Sequence, residues 1–594
     1  MRVLLLNPPL LTDPFTDDLV VNAPLSACLL TGYAAACLQE AGLEVSVVDA
    51  DLAGWSVVET RDRLLREDFA LLGVHLKFLW ERTAEIMAML QVIKEEKPRI
   101  HLNLYGHYPT FAWEPLLRQF PFVDSVVLGE PEFTLAELAR RLAGPGRGDW
   151  RETAGLVYSG QGGPVRNQLR PAVDDLDSLP FPLRPDPQAA ARRHMHNYIL
   201  GSRGCYGRCT FCYLNHFYGP GMIWRGRTPA NIVAEMEQVY RATGNPSFYF
   251  ADANFFGPGE RGRRRILELA GLLRQLDFPL VFGLECRAND VEEGVFSRLV
   301  EAGLQDVFLG VESGAQSALD RFCKGTTVAQ NERAIVTLRR LGLNISLGFI
   351  NFDPGATLEE IRENLHFLQR MELLDCPSTT AHLFFHRQVV LRGTPAYDYL
   401  LGRGLLRPVG FTGHEGEYTM ADPRAEAVCR VMGALARRVL EVTGGADMYT
   451  ARGPKVGCCG GAGDGGRDGN SCSPGLPGGT PAGKGPARAA AGPGRPAGLL
   501  ETHGPPGYHH AEAGAGPGRP GGRPVYPGKG KGSVGSPTRR QETFHRLNIF
   551  LQDFLSGLLD AAGRGELNLG TVDEFIVAGN REIERIISTT RAGC

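Results

Sequence analysis

The chain has 594 residues, of which 43% are hydrophobic and 22% charged, and its formal net charge is −3. This near-neutral balance gives no electrostatic reason to expect a nucleic-acid partner, and no apolar run approaches the ~20 residues that a membrane span needs. The length predicts roughly three to four domains. The apolar start, Met1 to Leu6, predicts a buried first strand rather than a secretory signal, so a cytoplasmic protein is expected.

Residues 1–145 alternate short apolar strands with helical patterns, which predicts a doubly wound, Rossmann-like α/β domain. The strands are expected at 3–6, 45–48, 71–74, 102–105 and 125–128. Ligands of such sheets bind outside the carboxyl ends of the strands, where the Gly- and Pro-marked turns of this chain fall. Residues 1–145 contain no G-x-G-x-x-G motif, so this domain does not indicate a dinucleotide.

Three short motifs lie at these strand ends: Asn7-Pro8-Pro9, Gly106-x-x-Pro109-Thr110 and Gly129-Glu130-Pro131-Glu132. With them, the domain resembles the cobalamin (B12)-binding domain fused in front of a large class of enzymes. The resemblance implies that Asn7, Pro9, Gly106, Gly129 and Glu130 lie near the corrin. His75 and His107 are cofactor-binding candidates by position only, because the D-x-H-x-x-G motif of base-off cobalamin proteins is absent. The alternative is a flavodoxin-like interaction module without a cofactor.

After a linker expected over 146–194, Cys205, Cys209 and Cys212 form a C-x3-C-x2-C motif with Phe211 just before the last cysteine. Three thiolates on one loop can hold three irons of a [4Fe–4S] cluster, which usually takes four cysteines; the fourth iron stays open for chemistry. A structural zinc site needs four ligands, and no second pair follows at the spacing of a zinc ribbon or finger. A disulfide framework fits neither the length nor the odd count of 13 cysteines. The motif resembles the signature of the radical S-adenosylmethionine (radical SAM) enzymes.

Residues 195–395 again alternate strand and helix, and they resemble the radical SAM partial (β/α)6 barrel. The strands are expected at 198–200, 248–250, 280–285, 306–311, 345–350 and 381–385. Chemistry in β/α barrels gathers at the carboxyl ends of the strands. The resemblance therefore implies cofactor contacts for six residues: Phe211 on the adenine, Asp252 at the methionyl amino group, Glu285 and Arg287 at the ribose and carboxylate, and Glu312 and Ser313 facing the cofactor.

Together the two domains imply a radical SAM methyltransferase that depends on B12. S-adenosylmethionine would chelate the open iron and yield a 5′-deoxyadenosyl radical, and methylcobalamin would methylate an unactivated carbon of a small-molecule or carrier-bound substrate, as in antibiotic or other natural-product biosynthesis. A flavodoxin or ferredoxin is the expected electron donor. The alternatives are a rearrangement, cyclisation or oxidation by the same cofactors, a sensor without turnover, and an RNA- or protein-modifying enzyme. The last is disfavoured because no N-terminal cysteine trio is present. The candidates for the substrate pocket are His216, Tyr218, Trp224, His382, His386 and Arg392.

The C-terminal third predicts a cap over 396–452, with an amphipathic helix at 423–442, and further helices within 541–594. Between them, 27 of the 88 residues over 453–540 are Gly and 14 are Pro, which exceeds the ~25–30% typical of disorder. We interpret this stretch as a flexible linker or as a frameshifted segment of a GC-rich gene. The overall fold class is therefore α/β, with a mainly helical C-terminal region interrupted by a disordered segment.

Overall fold

The computed structural model describes residues 1–9, 27–76, 83–144, 148–194, 196–219, 224–443 and 539–591. The described residues within Met1–Cys459 and Thr538–Cys594 form one compact unit. The second unit, Gly460–Pro537, lies outside the described residues, and so does most of the Gly- and Pro-rich segment. Within the described ranges, no helix combines the length and the apolar character needed to cross a membrane.

The N-terminal domain is built on a seven-stranded sheet in the order β2-β1-β3-β4-β5-β6-β7. The strands are β1 Arg2–Asn7, β2 Glu44–Asp49, β3 Leu71–His75, β4 His101–Tyr105, β5 Ser125–Val127, β6 Leu156–Gly160 and β7 Gly163–Arg166. The first five are parallel. Val3 to Leu6 in β1 are fully buried, as expected for a strand that helices cover on both faces. The predicted parallel sheet is confirmed.

Helices cover both faces of this sheet, which makes it doubly wound. They are α1 Ala27–Glu40, α2 Val57–Arg66, α3 Thr83–Glu96, α4 His107–Gln119 and α5 Glu132–Leu142. α1 and α5 pack on one face through residues such as Leu38 and Leu135. The other three pack on the opposite face through residues such as Leu64, Leu90 and Leu116. The loops at the carboxyl ends of β1, β3, β4 and β5 therefore lie along one edge of the sheet.

The segment expected as a linker contributes to this sheet. β6 pairs antiparallel with β5, and β7 pairs antiparallel with β6. The turn between them is glycine-rich, and Gly163 has φ +119°, a value that favours glycine. The remainder of the segment, with α6 Pro187–His194, runs on to the strands of the second domain.

The second domain contains five parallel strands in the order β14-β13-β12-β11-β8. Its strands are β8 Asn197–Ile199, β9 Ser202–Gly204, β10 Trp224–Gly226, β11 Ser247–Phe250, β12 Val281–Arg287, β13 Leu304–Glu312 and β14 Asn344–Phe349. β9 and β10 form a separate antiparallel hairpin. Its helices are α7 Leu214–Phe217, α8 Pro229–Thr243, α9 Gly259–Leu273, α10 Glu293–Glu301, α11 Gln316–Arg321, α12 Val328–Arg340 and α13 Leu358–Arg370.

The sixth strand predicted at 381–385 is wrong, because these residues belong to helix α14, Pro377–Phe385. Pro377 stands in the first turn of the helix, where a missing N–H costs nothing. Thr380, Ala381 and Phe384 are fully buried there. A short apolar run does not distinguish helix from strand by itself, and packing decides it here. Where a sixth strand was expected beside β14, a single parallel bridge joins Phe352, which follows β14, to Arg387.

The C-terminal region is less purely helical than predicted. A three-stranded antiparallel sheet, β15 Val390–Leu391, β16 Leu406–Val409 and β17 Glu415–Tyr418, has the order β15-β17-β16. The helices are α15 Pro395–Gly402, α16 Pro423–Thr443, α17 Arg539–Gly563 and α18 Val572–Arg591. Their buried leucines, such as Leu435 and Leu551, join the core of the second domain. Thr380 donates to Asn548 at 2.5 Å, which ties α14 to α17.

Candidate active site

The three motif cysteines lie on the loop that follows β9 and line one cavity of the second domain. All three are free thiols and half-buried. Within the described ranges, no three His, Cys, Asp or Glu side chains converge to hold a single metal ion. A [4Fe–4S] cluster does not need such convergence, because each cysteine binds a different iron. The donor set, three thiols around one cavity, therefore fits a cluster better than a mononuclear site.

The cysteines are thiols in a buried setting. Burial raises the pKa of Cys212 to about 12 and also raises the pKa of Cys205. The positive charge of Lys324 has a smaller effect, which lowers the pKa of both cysteines. Because thiolates are the metal-binding form, iron binding at this loop must release protons.

Arg287, predicted from the sequence as a cofactor contact, reaches the cysteines directly. Its Nη1 donates to Cys209 Sγ at 3.4 Å, and its guanidinium lies 5.4 Å from the centre of the Tyr206 ring. A Cβ at Gly207 would lie 2.4 Å from the same Nη1. Glycine at position 207 therefore makes room for the guanidinium beside the cysteine loop.

Glu312, at the end of β13, forms a buried ion pair with Lys324. The Lys324 Nζ lies 2.7 Å from Glu312 Oε1, and both residues line the cavity. Burial lowers the pKa of Lys324, but the Glu312 carboxylate and the Cys209 sulfur outweigh this effect, so the pKa is raised. Glu312 has φ +65°, which is uncommon for a residue with a side chain. Lys324 was not predicted as a site residue, because its position in the sequence, next to Cys323, carries no recognisable motif.

Two further predicted residues, Phe211 and Glu285, also line the cavity. Phe211 meets Phe322 edge to face, with ring centroids 5.6 Å apart. This contact anchors the cysteine loop on the helix that follows β13.

Asp252 and Ser313 do not line the cavity. Asp252 accepts hydrogen bonds from the Gly201 N–H at 2.8 Å and from the Ser202 hydroxyl, and burial raises its pKa to about 6. The Ser313 hydroxyl donates to Asn364 Oδ1 at 2.8 Å. Ala251 and Ala253 line the cavity instead, so these two predicted side chains support the site from behind.

The segment after α14 closes the cavity on another side. His386, Gln388 and Val389 line it. The Gln388 N–H donates to the Phe352 carbonyl at 2.7 Å, which fixes this segment beside the end of β14. Burial, with a smaller effect from His382, lowers the pKa of His386 to about 3, so its imidazole is neutral at pH 7. Of the six substrate-pocket candidates, His386 is the one that lines this cavity among the described residues.

The strand ends of the N-terminal sheet hold a buried hydrogen-bond network around Thr31. Its hydroxyl lies 2.6 Å from Asn7 Oδ1, 3.1 Å from His75 Nδ1 and 2.9 Å from the Tyr105 hydroxyl. His75 is fully buried and stacks on Tyr105. Gly106 has φ +115°, and a Cβ there would lie 2.6 Å from His75 Cδ2. Asn7, His75 and Gly106 are thus brought together. Pro9, two residues after the end of β1, is also buried.

His107 connects this edge with the cysteine loop. Its ring stacks on Phe217 at 4.0 Å and meets Tyr213 edge to face at 5.6 Å. Burial lowers its pKa to about 3. Neither ring nitrogen has a hydrogen-bond partner among the described residues. Two buried nitrogens without partners fit a site that a ligand completes, and Tyr213 itself lines the cysteine cavity.

Gly129 and Glu130 contact the second domain rather than an open groove. A Cβ at Gly129, which has φ +74°, would lie 3.1 Å from the Phe217 carbonyl oxygen. Glu130 accepts hydrogen bonds from Arg203 at 2.6 Å, from Arg225 at 3.1 Å and from the Val173 N–H at 2.6 Å. Both carboxylate oxygens are therefore engaged by protein groups. The structure corrects the expectation that this side chain faces a cofactor.

Comparison with known proteins defines the class of the second domain. Residues 199–368 match the radical SAM superfamily. The chain therefore carries a radical SAM domain, which confirms the prediction from the cysteine motif.

The fold of the described residues resembles the folds of two solved enzymes that bind cobalamin. It resembles the cobalamin-dependent S-adenosylmethionine radical enzyme OxsB, bound to aqua-cobalamin and S-adenosylmethionine, with a TM-score of 0.62 and 20% identity over 76% of this chain and 71% of that one. It also resembles the radical S-adenosylmethionine methyltransferase TsrM from Kitasatospora setae, bound to cobalamin and a [4Fe–4S] cluster, with a TM-score of 0.54 and 18% identity over 68% and 75% of the two chains.

Several relatives share sequence similarity with the chain, and three of them illustrate its range. An uncharacterized methyltransferase of Pyrococcus horikoshii is 26% identical over 56% of this chain and 69% of its own length. The 4′-phospho-dehydrooxetanocin synthase of Priestia megaterium is 27% identical over 59% of this chain. The anaerobic magnesium-protoporphyrin IX monomethyl ester cyclase of Rubrivivax gelatinosus is 29% identical over 46% of this chain. The alignments span 49% and 50% of the synthase and the cyclase, or about half of each.

Proposed function

We propose that this protein is a cobalamin-dependent radical SAM methyltransferase that methylates an unactivated carbon of a small molecule. One observation carries the proposal: Tyr213 lines the cysteine cavity and also contacts His107 at the edge of the N-terminal sheet. A single side chain thus separates the two candidate cofactor sites. That proximity is what a methyl transfer between cofactors and substrate requires.

The cysteine loop would hold the [4Fe–4S] cluster. Cys205, Cys209 and Cys212 would each bind one iron, which leaves the fourth iron to S-adenosylmethionine. Arg287 and Lys324 bring two positive charges to the cavity, and these offset the negative charge of thiolates and cluster. Phe211, Glu285 and Glu312 line the same cavity and are the residues that would orient S-adenosylmethionine.

The edge of the N-terminal sheet would hold cobalamin. Asn7, Pro9, Gly106 and His107 lie at the ends of β1 and β4, on the side that meets the cysteine loop. His107 is the stronger of the two histidine candidates for a contact with cobalamin, because its ring nitrogens lack hydrogen-bond partners among the described residues. His75, in contrast, is hydrogen-bonded to Thr31 through Nδ1.

When bound, the cluster and S-adenosylmethionine supply a 5′-deoxyadenosyl radical that removes a hydrogen atom from the substrate, and cobalamin supplies the methyl group. Two electrons from a donor such as flavodoxin or ferredoxin and two molecules of S-adenosylmethionine balance each turnover. The chain's own residues position these groups and exclude water: Glu312 and Lys324 as a fixed ion pair, and His386 as a neutral imidazole. We further propose a cytoplasmic role in natural-product biosynthesis, on a free or carrier-bound substrate. The resemblance to the oxetanocin-related synthase supports this.

Anaerobic reconstitution tests the proposal. The protein is loaded with iron, sulfide and hydroxocobalamin, reduced with dithionite and methyl viologen, and incubated with S-adenosylmethionine. We expect both 5′-deoxyadenosine and S-adenosylhomocysteine, and loss of 5′-deoxyadenosine in Cys205→Ala. Failure of the wild-type protein to retain cobalamin would contradict the proposal.

A second candidate function uses the same cofactors without methylation. The similarity to the magnesium-protoporphyrin ester cyclase favours it. In that case 5′-deoxyadenosine forms, S-adenosylhomocysteine does not, and the product mass lacks the added CH2.

A further inference from the structure

The loop that contains Glu130 is bound to the radical SAM domain by a buried network of four charges. Arg203 donates from Nη1 to Glu130 Oε1 and from Nη2 to Glu132 Oε1, both at 2.6 Å. Its side chain is 1% exposed, and its guanidinium also lies 5.0 Å from the centre of the Tyr33 ring in α1. A planar guanidinium presents two parallel donors. Arg203 therefore spans two carboxylates of the N-terminal domain at once.

The network holds both strands that flank the cysteine loop. Arg203 lies in β9, two residues before Cys205, and is paired across the hairpin with Arg225 in β10. Arg225 donates to the other oxygen of Glu130 at 3.1 Å. The Glu130 carboxylate thus links β9, which leads into the cysteine loop, to β10, which follows that loop.

We propose that Arg203 and Arg225, with Glu130 and Glu132, are positioning residues that fix the cysteine loop relative to the strand ends of the N-terminal sheet. They set the register between the cluster and the second cofactor site. This inference rests on the proposed function. None of these four residues lines the cysteine cavity. The network therefore acts through Cys205 on one side and through Gly129, which packs against Phe217, on the other.

The physical basis is a balanced set of charges in a buried interface. Two arginines face two glutamates, so the network is neutral as a whole. Burial of each charge is costly, and good hydrogen-bond geometry must offset the cost, so a displaced partner leaves a charge without compensation. A buried network of this kind tolerates one arrangement and resists sliding of one domain over the other. An exposed ion pair would not impose this constraint.

Two conservative variants test the inference. Arg203→Lys keeps the charge but cannot bond both carboxylates in a fork, and Glu130→Gln keeps the shape but removes the charge. The matched control is Arg321→Lys, because Arg321 also bridges two carboxylates, Asp353 at 2.7 Å and Glu360 at 2.9 Å, but within the radical SAM domain.

The first readout needs no cofactor. In Arg203→Lys, hydrogen–deuterium exchange is expected to speed up in peptides covering both 129–132 and 202–204, and in the control at neither place. The second readout uses protein loaded with cluster and cobalamin: the spin–spin interaction between cob(II)alamin and the reduced cluster, measured by electron paramagnetic resonance, weakens in the two variants. The ratio of S-adenosylhomocysteine to 5′-deoxyadenosine then falls about 10- to 100-fold, as a displacement of about 1 Å at a reaction centre can cause.

Wild-type exchange kinetics, spin coupling and product ratio in both variants would overturn the inference. If Arg203→Lys does not fold, the same measurements are made on Glu132→Gln, which removes the charge of one of the two carboxylates. Failure of the proposed function is distinct, because then the wild-type protein itself retains no cobalamin. Hydrogen–deuterium exchange still decides whether the network joins the domains.

Discussion

Gly207 gives the sharpest test of how the cysteine loop controls the cluster. In Gly207→Ala, the new Cβ would lie 2.4 Å from Arg287 Nη1. Carbon needs about 3.5 Å in ordinary contact, so the guanidinium must retreat by about 1 Å. For a retreat directed away from Cys209, the distance from Nη1 to Cys209 Sγ grows from 3.4 Å to about 4.4 Å, beyond hydrogen-bond range.

The retreat of this positive charge has a calculable effect. We place unit charges at the Arg287 guanidinium and the Cys209 sulfur and take an effective dielectric constant of about 20. The longer distance then weakens their attraction by about 1 kcal/mol. A one-electron couple shifts by about 59 mV for each tenfold change in its equilibrium constant, so this loss lowers the cluster's reduction potential by about 50 mV. The reduced, more negative cluster is the state that the guanidinium stabilises.

The assay is an anaerobic redox titration of the reconstituted protein, followed by electron paramagnetic resonance. The control is Gly271→Ala in α9, where no atom lies within 4 Å of the new Cβ. A Gly207→Ala protein with wild-type iron content and an unchanged reduction potential would refute the assignment of Arg287 as the charge that tunes the cluster.

Three further predictions follow from the same geometry. Glu312→Gln leaves the Lys324 cation buried without its carboxylate, so urea unfolding should show a loss of about 3 kcal/mol, and Lys324→Met added to it should recover part of the loss; additive losses would contradict this. Gly106→Ala places a Cβ 2.6 Å from His75 Cδ2 at φ +115°, so we expect a loss of about 1–3 kcal/mol and weaker retention of cobalamin in equilibrium dialysis; wild-type retention would count against this site. Burial lowers the pKa of His107 to about 3, below the ~6.5 of an unfolded histidine. Its stabilising contribution is therefore complete above about pH 6.5 and is lost as the pH falls towards 3, by up to about 1.4 kcal/mol per pH unit. His107→Phe should flatten the decline in unfolding free energy between pH 7 and 5, and an unchanged slope would refute it.

Much of the fold could be predicted because its signals are local. Strands such as Val3–Leu6 are apolar runs that end at Pro or Gly, and alternation with helices defines a parallel sheet wherever it occurs. The three cysteines are likewise close together in the chain, so their spacing alone indicated a cluster. Arg287 and Glu312 could be named because the resemblance to the radical SAM barrel implies cofactor contacts at the ends of its strands.

The remaining features depend on residues that are far apart in the chain. Glu130 and Arg203 are 73 positions apart, and no periodicity reveals that this carboxylate binds an arginine rather than a cofactor. The run 381–385 has residues that suit a strand, yet burial against α16 and α17 makes it a helix. Local pattern determined which elements form and which chemistry the cysteine loop supports. Tertiary packing decided which buried charges meet, because a charge removed from water must find its partner wherever the fold brings one.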